Sequence, residues 1–121
     1  MVEYECSISE IQQLRAPKVY RLKASCGSGL LIEVELHEEV VEQPRVDDTV
    51  VEVYVGGDRE ACLEKYFCAQ GYIVSNTMLG GTYRTVISLH GLLVVIRSPG
   101  ELGLKPMDKV YVGLTFKSKP G

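Results

Sequence analysis

An all-β domain, a small antiparallel barrel, is predicted by three features of this chain. Valine occurs 16 times and alanine only 4 times. Valine fits the pleated surface of a strand, whereas alanine is the best helix former. Several segments alternate apolar and polar residues, which turns one set of side chains inward and the other outward. Seven such segments follow one another at near-regular spacing, joined by glycine and proline turns and without a βαβ rhythm. A closed or nearly closed barrel is expected, because closure removes the unpaired edges that invite aggregation.

The elements follow in order. Residues 7–14 predict a short N-terminal helix: Ser7 with Glu10 forms a capping box, and Ile8, Ile11 and Leu14 fall on one helical face. Pro17 ends it. In 19–24, Tyr20, Leu22 and Ala24 alternate with Arg21 and Lys23. After the turn 25–29, Leu30, Ile32, Val34 and Leu36 alternate with Glu33 and Glu35, the clearest strand signal in the chain. The connection Glu38–Asp48 is acidic and holds Pro44. Residues 49–55 form a third strand with Val51, Val53 and Val55 together, closed by Gly56-Gly57. Asp58–Glu64 reads as a charged loop. Residues 65–76 predict a strand interrupted at Gly71, followed by a turn with Gly80-Gly81 at its tip. Tyr83, Thr85, Ile87 and Leu89 alternate in a fifth strand. Gly91 breaks that count as a bulge or sharp bend, and 92–97 continues. A loop over 98–108 leads to the last strand, 109–117.

With 121 residues and 13.4 kDa, residues 1–121 make a single domain. The longest aliphatic run, Leu92–Ile96, is far short of the ~20 residues that span a bilayer. The start, Met1-Val2-Glu3-Tyr4-Glu5, lacks the basic region of a signal peptide, so a cytoplasmic location is expected. Cys6, Cys26, Cys62 and Cys68 show no CxxC spacing and no neighbouring histidine, which argues against zinc. An even count is compatible with two disulfides. Without a secretion signal, four small buried thiols are the expectation.

Known chemical motifs are absent. There is no phosphate loop, no GxGxxG, no GxSxG and no HExxH. Gly27-Ser28-Gly29 precedes a strand and reads as a hairpin turn. No spacing supports a Cys68–His90 nucleophile pair. Eleven of the 16 acidic residues lie between Glu33 and Glu64, mostly in a solvated connection that holds no carboxylate rigidly. Catalytic, metal and cofactor-binding residues are therefore expected to be none. The C-terminal half is mildly basic through Lys65, Arg84, Arg97, Lys105, Lys109, Lys117 and Lys119. The overall charge is −3, and the cations are dispersed rather than gathered into a phosphate-binding stripe.

Two stretches, Tyr66–Tyr83 and Thr85–Ile96, carry no acidic or basic side chain apart from His90. They are either two central strands of the barrel or a surface covered by another protein. Interfaces are poor in charge and rich in Tyr, Phe and Met.

Four segments, taken in order, resemble the OB-fold subunit 8 of archaeal and eukaryotic DNA-directed RNA polymerase. They are Val19-Tyr20-Arg21-Leu22, then residues 66–73 (YFCAQGYI), 88–96 (SLHGLLVVI) and 107–114 (MDKVYVGL). The similarity spans roughly residues 4–117. The short region 57–64 looks like the archaeal branch, and His90 stands where a second glycine is common. The resemblance implies an OB-type β-barrel, which with the helix read at 7–14 gives an all-β fold with one short N-terminal helix. It also implies a non-catalytic accessory subunit without metal, nucleotide or cofactor, docked on the largest polymerase subunit. Direct contact with nucleic acid is not expected. The interface expected on this reading is Tyr72, Tyr83, His90, Gly91, Leu92 and Leu93. Leu92 and Leu93 must point to opposite faces of a regular strand. The alternative function is a free-standing single-stranded nucleic-acid-binding protein on the same barrel, with Tyr72 and Tyr83 as stacking platforms.

Overall fold

Residues 2–47 and 49–118 are described in the computed structural model. Asp48 of the acidic connection and Lys119 of the basic set lie outside them. Eight strands form: β1 (Val2–Gln13), β2 (Val19–Ser25), β3 (Leu31–His37), β4 (Thr49–Gly56), β5 (Phe67–Leu79), β6 (Thr82–Leu89), β7 (Leu92–Ser98) and β8 (Lys109–Ser118). One helix, α1 (Arg59–Leu63), lies between β4 and β5. The strands close into an antiparallel barrel in the order β1-β2-β3-β7-β6-β5-β8-β4, with β4 pairing back onto β1.

The inward sets predicted from alternation fill the interior. Tyr20, Leu22 and Ala24 of β2 meet Leu36, Val34 and Ile32 of β3 in register, and all six are buried. Val51, Val53 and Val55 of β4 face Phe116, Leu114 and Val112 of β8. An eight-stranded barrel is just narrow enough for such side chains to fill it. The Tyr20 hydroxyl sits inside this core and donates to the Val41 carbonyl at 2.7 Å, so its polar atom is satisfied.

Four sequence expectations are corrected. Residues 7–14 are not a helix. All but Leu14 belong to β1, which pairs with β2 on one side and β4 on the other. The register shifts between Ile8 and Glu10, where Ser9 is an extra residue. That bulge moves the inward phase from Ile8 to Ile11, imitating the three-residue spacing of a helix.

Asp58–Glu64 is not a bare loop but contains α1. The Asp58 carboxylate caps this turn, accepting from the Glu60 and Ala61 amides at 3.0 and 3.3 Å. The helix packs outside the barrel on β4, β5 and β8. There Tyr54 is buried and its hydroxyl accepts from the Asp58 amide at 3.0 Å. Gly113, the partner of Tyr54, leaves room for the stem of Lys65, whose Cγ lies 2.7 Å from where a Cβ would stand.

The cysteines are not free thiols: Cys6 is bonded to Cys26, and Cys62 to Cys68. The first bridge follows from register, because Ser7 stands opposite Ser25 and the adjoining cysteines meet. The second ties α1 to the start of β5.

Gly91 is not a bulge in a continuous strand. His90 and Gly91 form a two-residue hairpin between β6 and β7, both with positive φ (55° and 98°). This is the type I′ pattern whose twist matches the flanking strands. Gly80-Gly81, the predicted tip, makes the equivalent turn between β5 and β6 with φ of 58° and 82°.

Candidate interaction surface

Strands β5, β6 and β7, charged only at Arg84 and Arg97, lie side by side in the barrel wall. Ile87, Leu89, Val94 and Ile96 turn inward and are buried. The outward set follows from the pairing. Tyr72 of β5 stands opposite Ser88 of β6, which stands opposite Leu93 of β7. One row below, Val86 faces Val95. Tyr72 is 49% exposed, Leu93 39% and Val74, the bulge residue of β5, 55%. The row from Tyr72 through Ser88 to Leu93 is therefore an uncharged patch on the outer wall, with Arg84 farther along the central strand.

The six residues expected at the interface divide. Tyr72 and Leu93 share this outer face, and His90 and Gly91 make the exposed turn at the end of β6 and β7. Leu92 pairs with the buried Leu89 on the inward side. Tyr83 pairs with Met78 and with the buried Ser98 at the far end of β6, on the inward side at the barrel mouth. An added Cβ on Gly91 would meet nothing within 4 Å, so the turn conformation, not close approach, requires glycine there.

Beside the uncharged row runs a charged ladder that alternation and spacing did not single out. Arg21 of β2 bonds Glu35 of β3 at 2.9 Å and lies 3.9 Å from Glu33. Arg97 of β7 pairs with Glu33 from the other side. The second Glu35 oxygen accepts the Leu93 amide at 2.9 Å, at the point where the β3–β7 pairing ends. These residues, with Arg84, Leu93 and Val95, line a cleft of about 200 Å³. The available signal was the opposition of Arg21 and Lys23 on one strand to Glu35 and Glu33 on the next. A second groove, about 490 Å³, is lined by Glu42, Gln43, Pro44, Tyr66, Thr115 and Phe116. Tyr66 meets Phe116 edge-on there, with ring centroids 6.3 Å apart.

The ionisable groups with displaced pKa values are structural. Burial pushes the Tyr20 and Tyr4 hydroxyls up. The hydrogen bond from Lys117 holds Glu52 down, and the same bond raises Lys117. Among the described residues no group of three or more His, Cys, Asp or Glu side chains is placed to hold a metal. Among the described residues no helix is long and apolar enough to cross a membrane. What the surface offers is contact area bordered by ion pairs.

No curated protein matches the chain. Among solved structures it is similar to the cytoplasmic molybdate-binding protein ModG, in a form with molybdate bound. The two share 12% identity over 98% of this chain and 96% of that one, with a TM-score of 0.36. That likeness is too loose to bear on ligand or fold. Residues 1–117 match the family model of the RpbG subunit of DNA-directed RNA polymerase. With nearly the whole length matched, and with the closed antiparallel barrel in place, the chain belongs to the RpbG family of DNA-directed RNA polymerase subunits.

Proposed function

We propose that this chain is a non-catalytic accessory and assembly subunit, cytoplasmic, that docks its barrel on the largest subunit of DNA-directed RNA polymerase. The observation that carries the reading is the outward uncharged row of Tyr72, Ser88 and Leu93, flanked by the half-exposed Val74. Such a contiguous uncharged patch on a well-packed barrel favours a protein partner. His90 and Gly91 extend the same surface past the end of the strands, and the Arg21–Glu35 ladder supplies a polar rim. The single-strand-binding alternative gains nothing from this geometry. Of its two stacking platforms, Tyr72 faces out and Tyr83 turns to the barrel mouth, so they do not form one basic, aromatic face.

The test is a mild-salt pull-down with the full chain, followed by identification of its partners. The largest polymerase subunit is expected in equimolar amount. Leu93→Asp is expected to abolish recovery while leaving the thermal midpoint within about 2 °C, since exposed substitutions cost little stability. Recovery of the chain free of polymerase overturns the reading, as does full recovery with Leu93→Asp and Tyr72→Asp combined.

A further inference from the structure

The barrel is closed, but one strand outruns it. β5 runs from Phe67 to Leu79, and β8 covers one of its sides only from Phe67 to Tyr72. The loop before β8 adds one more step: the Ile73 amide donates to the Asp108 carbonyl at 2.9 Å, and the Met107 amide donates to the Ile73 carbonyl at 2.8 Å. On its other side β5 stays paired with β6 up to Leu79 opposite Thr82. Ser75–Leu79 is thus the outer strand of a three-stranded stretch, in which β6 stays paired with β7 up to Tyr83 opposite Ser98, and among the described residues no strand pairs with its second edge. This edge is anchored at its base. The Asn76 side-chain amide donates to the Leu104 carbonyl at 2.6 Å, and Asn76 Oδ1 accepts from the Thr85 hydroxyl at 3.2 Å.

A free edge offers main-chain donors and acceptors at strand spacing, and another strand satisfies them. Edges left to solvent are ordinarily blunted by lysine, proline or an inward-pointing charge. The stretch Ser75-Asn76-Thr77-Met78-Leu79 has none of these. Met78 and Leu79 are 58% and 65% exposed and alternate in facing, so an incoming strand finds an apolar contact on each side. The only charged residue from Val74 to Arg84 is Arg84 itself, opposite Thr77 on the outer face. An acidic residue on the outer face of the incoming strand is therefore favoured.

We propose that the Ser75–Leu79 edge accepts a β-strand from another polymerase subunit: a short extended segment, apolar on both faces, with an acidic residue placed toward Arg84. This rests on the polymerase reading above and specifies how the chain is held. The test compares backbone amide exchange in the free full-length chain and in polymerase purified with the chain in place. Strand addition slows exchange of the edge amides within Ser75–Leu79 by at least about tenfold on assembly, because newly bonded amides exchange only on opening. Thr77→Lys, which restores a blunting charge, is expected to lower retention in the complex by about tenfold with an unchanged melting midpoint. Purified polymerase that lacks the chain overturns the functional reading itself. A chain present in the complex, with Ser75–Leu79 exchanging as in the free form, overturns strand addition alone. Concentration-dependent dimerisation of the free chain that protects the same amides equally makes a second copy the occupant and overturns the proposal as well.

Discussion

Replacing Gly71 by alanine tests whether the barrel wall is as tight as its geometry requires. A Cβ at this position would lie 2.3 Å from the Ser88 carbonyl oxygen and 2.6 Å from Leu89 Cδ2. Carbon and oxygen ordinarily approach no closer than about 3.3 Å. The leucine methyl can turn away, but the carbonyl belongs to the backbone of β6, so β5 and β6 must separate by about 1 Å. Hydrogen bonds tolerate only a few tenths of an ångström before weakening, so the ladder near Tyr72 and Ser88 loses a bond or two, at about 1 kcal/mol each. Overpacking adds about 1–3 kcal/mol. The expected total is about 3 kcal/mol, which for a chain of this size lowers the melting midpoint by roughly 10 °C. Gly57→Ala is the control: nothing lies within 4 Å of its added methyl, so its effect should stay within about 0.5 kcal/mol. Thermal unfolding followed by circular dichroism reads both. A Gly71→Ala midpoint indistinguishable from that of Gly57→Ala refutes the close approach of β5 and β6.

Four further outcomes are expected. Tyr20→Phe leaves the buried Val41 carbonyl without its donor and should cost about 1–2 kcal/mol in urea unfolding. The same residue sets an alkaline limit. Burial, then the nearby Tyr66 and Glu38, hold the Tyr20 hydroxyl protonated in the fold, whereas an unfolded tyrosine ionises near pH 10. Its contribution is complete below that pH and falls as the pH rises further; a slope above pH 10 that survives in Tyr20→Phe would assign it elsewhere. Cys6→Ser with Cys26→Ser opens a bridge between residues 20 apart and should cost about 3 kcal/mol, seen as a lower midpoint; a wild-type midpoint insensitive to reductant contradicts the bridge. Gly91→Ala, with φ of 98° and open space around it, should cost about 1 kcal/mol from backbone strain alone, and His90→Gly should be near neutral.

The strands that could be read from sequence are those whose two faces differ in chemistry along their whole length. In β2 and β3, Tyr20, Leu22, Ala24, Ile32, Val34 and Leu36 went inward, and Arg21, Lys23, Glu33 and Glu35 outward, as alternation requires. The Gly80-Gly81 turn was equally legible, because two adjacent glycines supply the positive φ of a tight hairpin. His90-Gly91 was harder to read, since a histidine with φ of 55° adopts a conformation that its residue type does not announce. Helix α1 escaped because one capped turn has no apolar period to detect. The exposed patch was legible only in part. Missing charge drew attention to Tyr72 and Leu93, but it did not distinguish them from Tyr83 and Leu92, whose facing is decided by pairing partners far along the chain.

The misreading of β1 has one cause, a residue inserted into a period of two, and β5 carries the same irregularity. In β1 the inward side chains are Cys6 and Ile8, then, after Ser9, Ile11; in β5 they are Gly71 and Ile73, then, after Val74, Asn76. Each insertion turns a spacing of two into three, which a single chain cannot distinguish from helical periodicity, because the evidence for a bulge lies in the partner strand. Misreading β1 as a helix also hid the Cys6–Cys26 bridge: only a strand paired with β2 brings those residues 20 apart into contact. The bulge in β5 has a different consequence. It lies just beyond the last β8 pair and before the uncovered edge Ser75–Leu79, so the residue that disturbs the sequence pattern also marks where β8 ceases to cover β5. A bulge bends and twists the strand that carries it. The edge proposed to take a strand from another polymerase subunit therefore starts at the bulge, directly after Ile73, where the loop before β8 makes its last backbone bonds to β5.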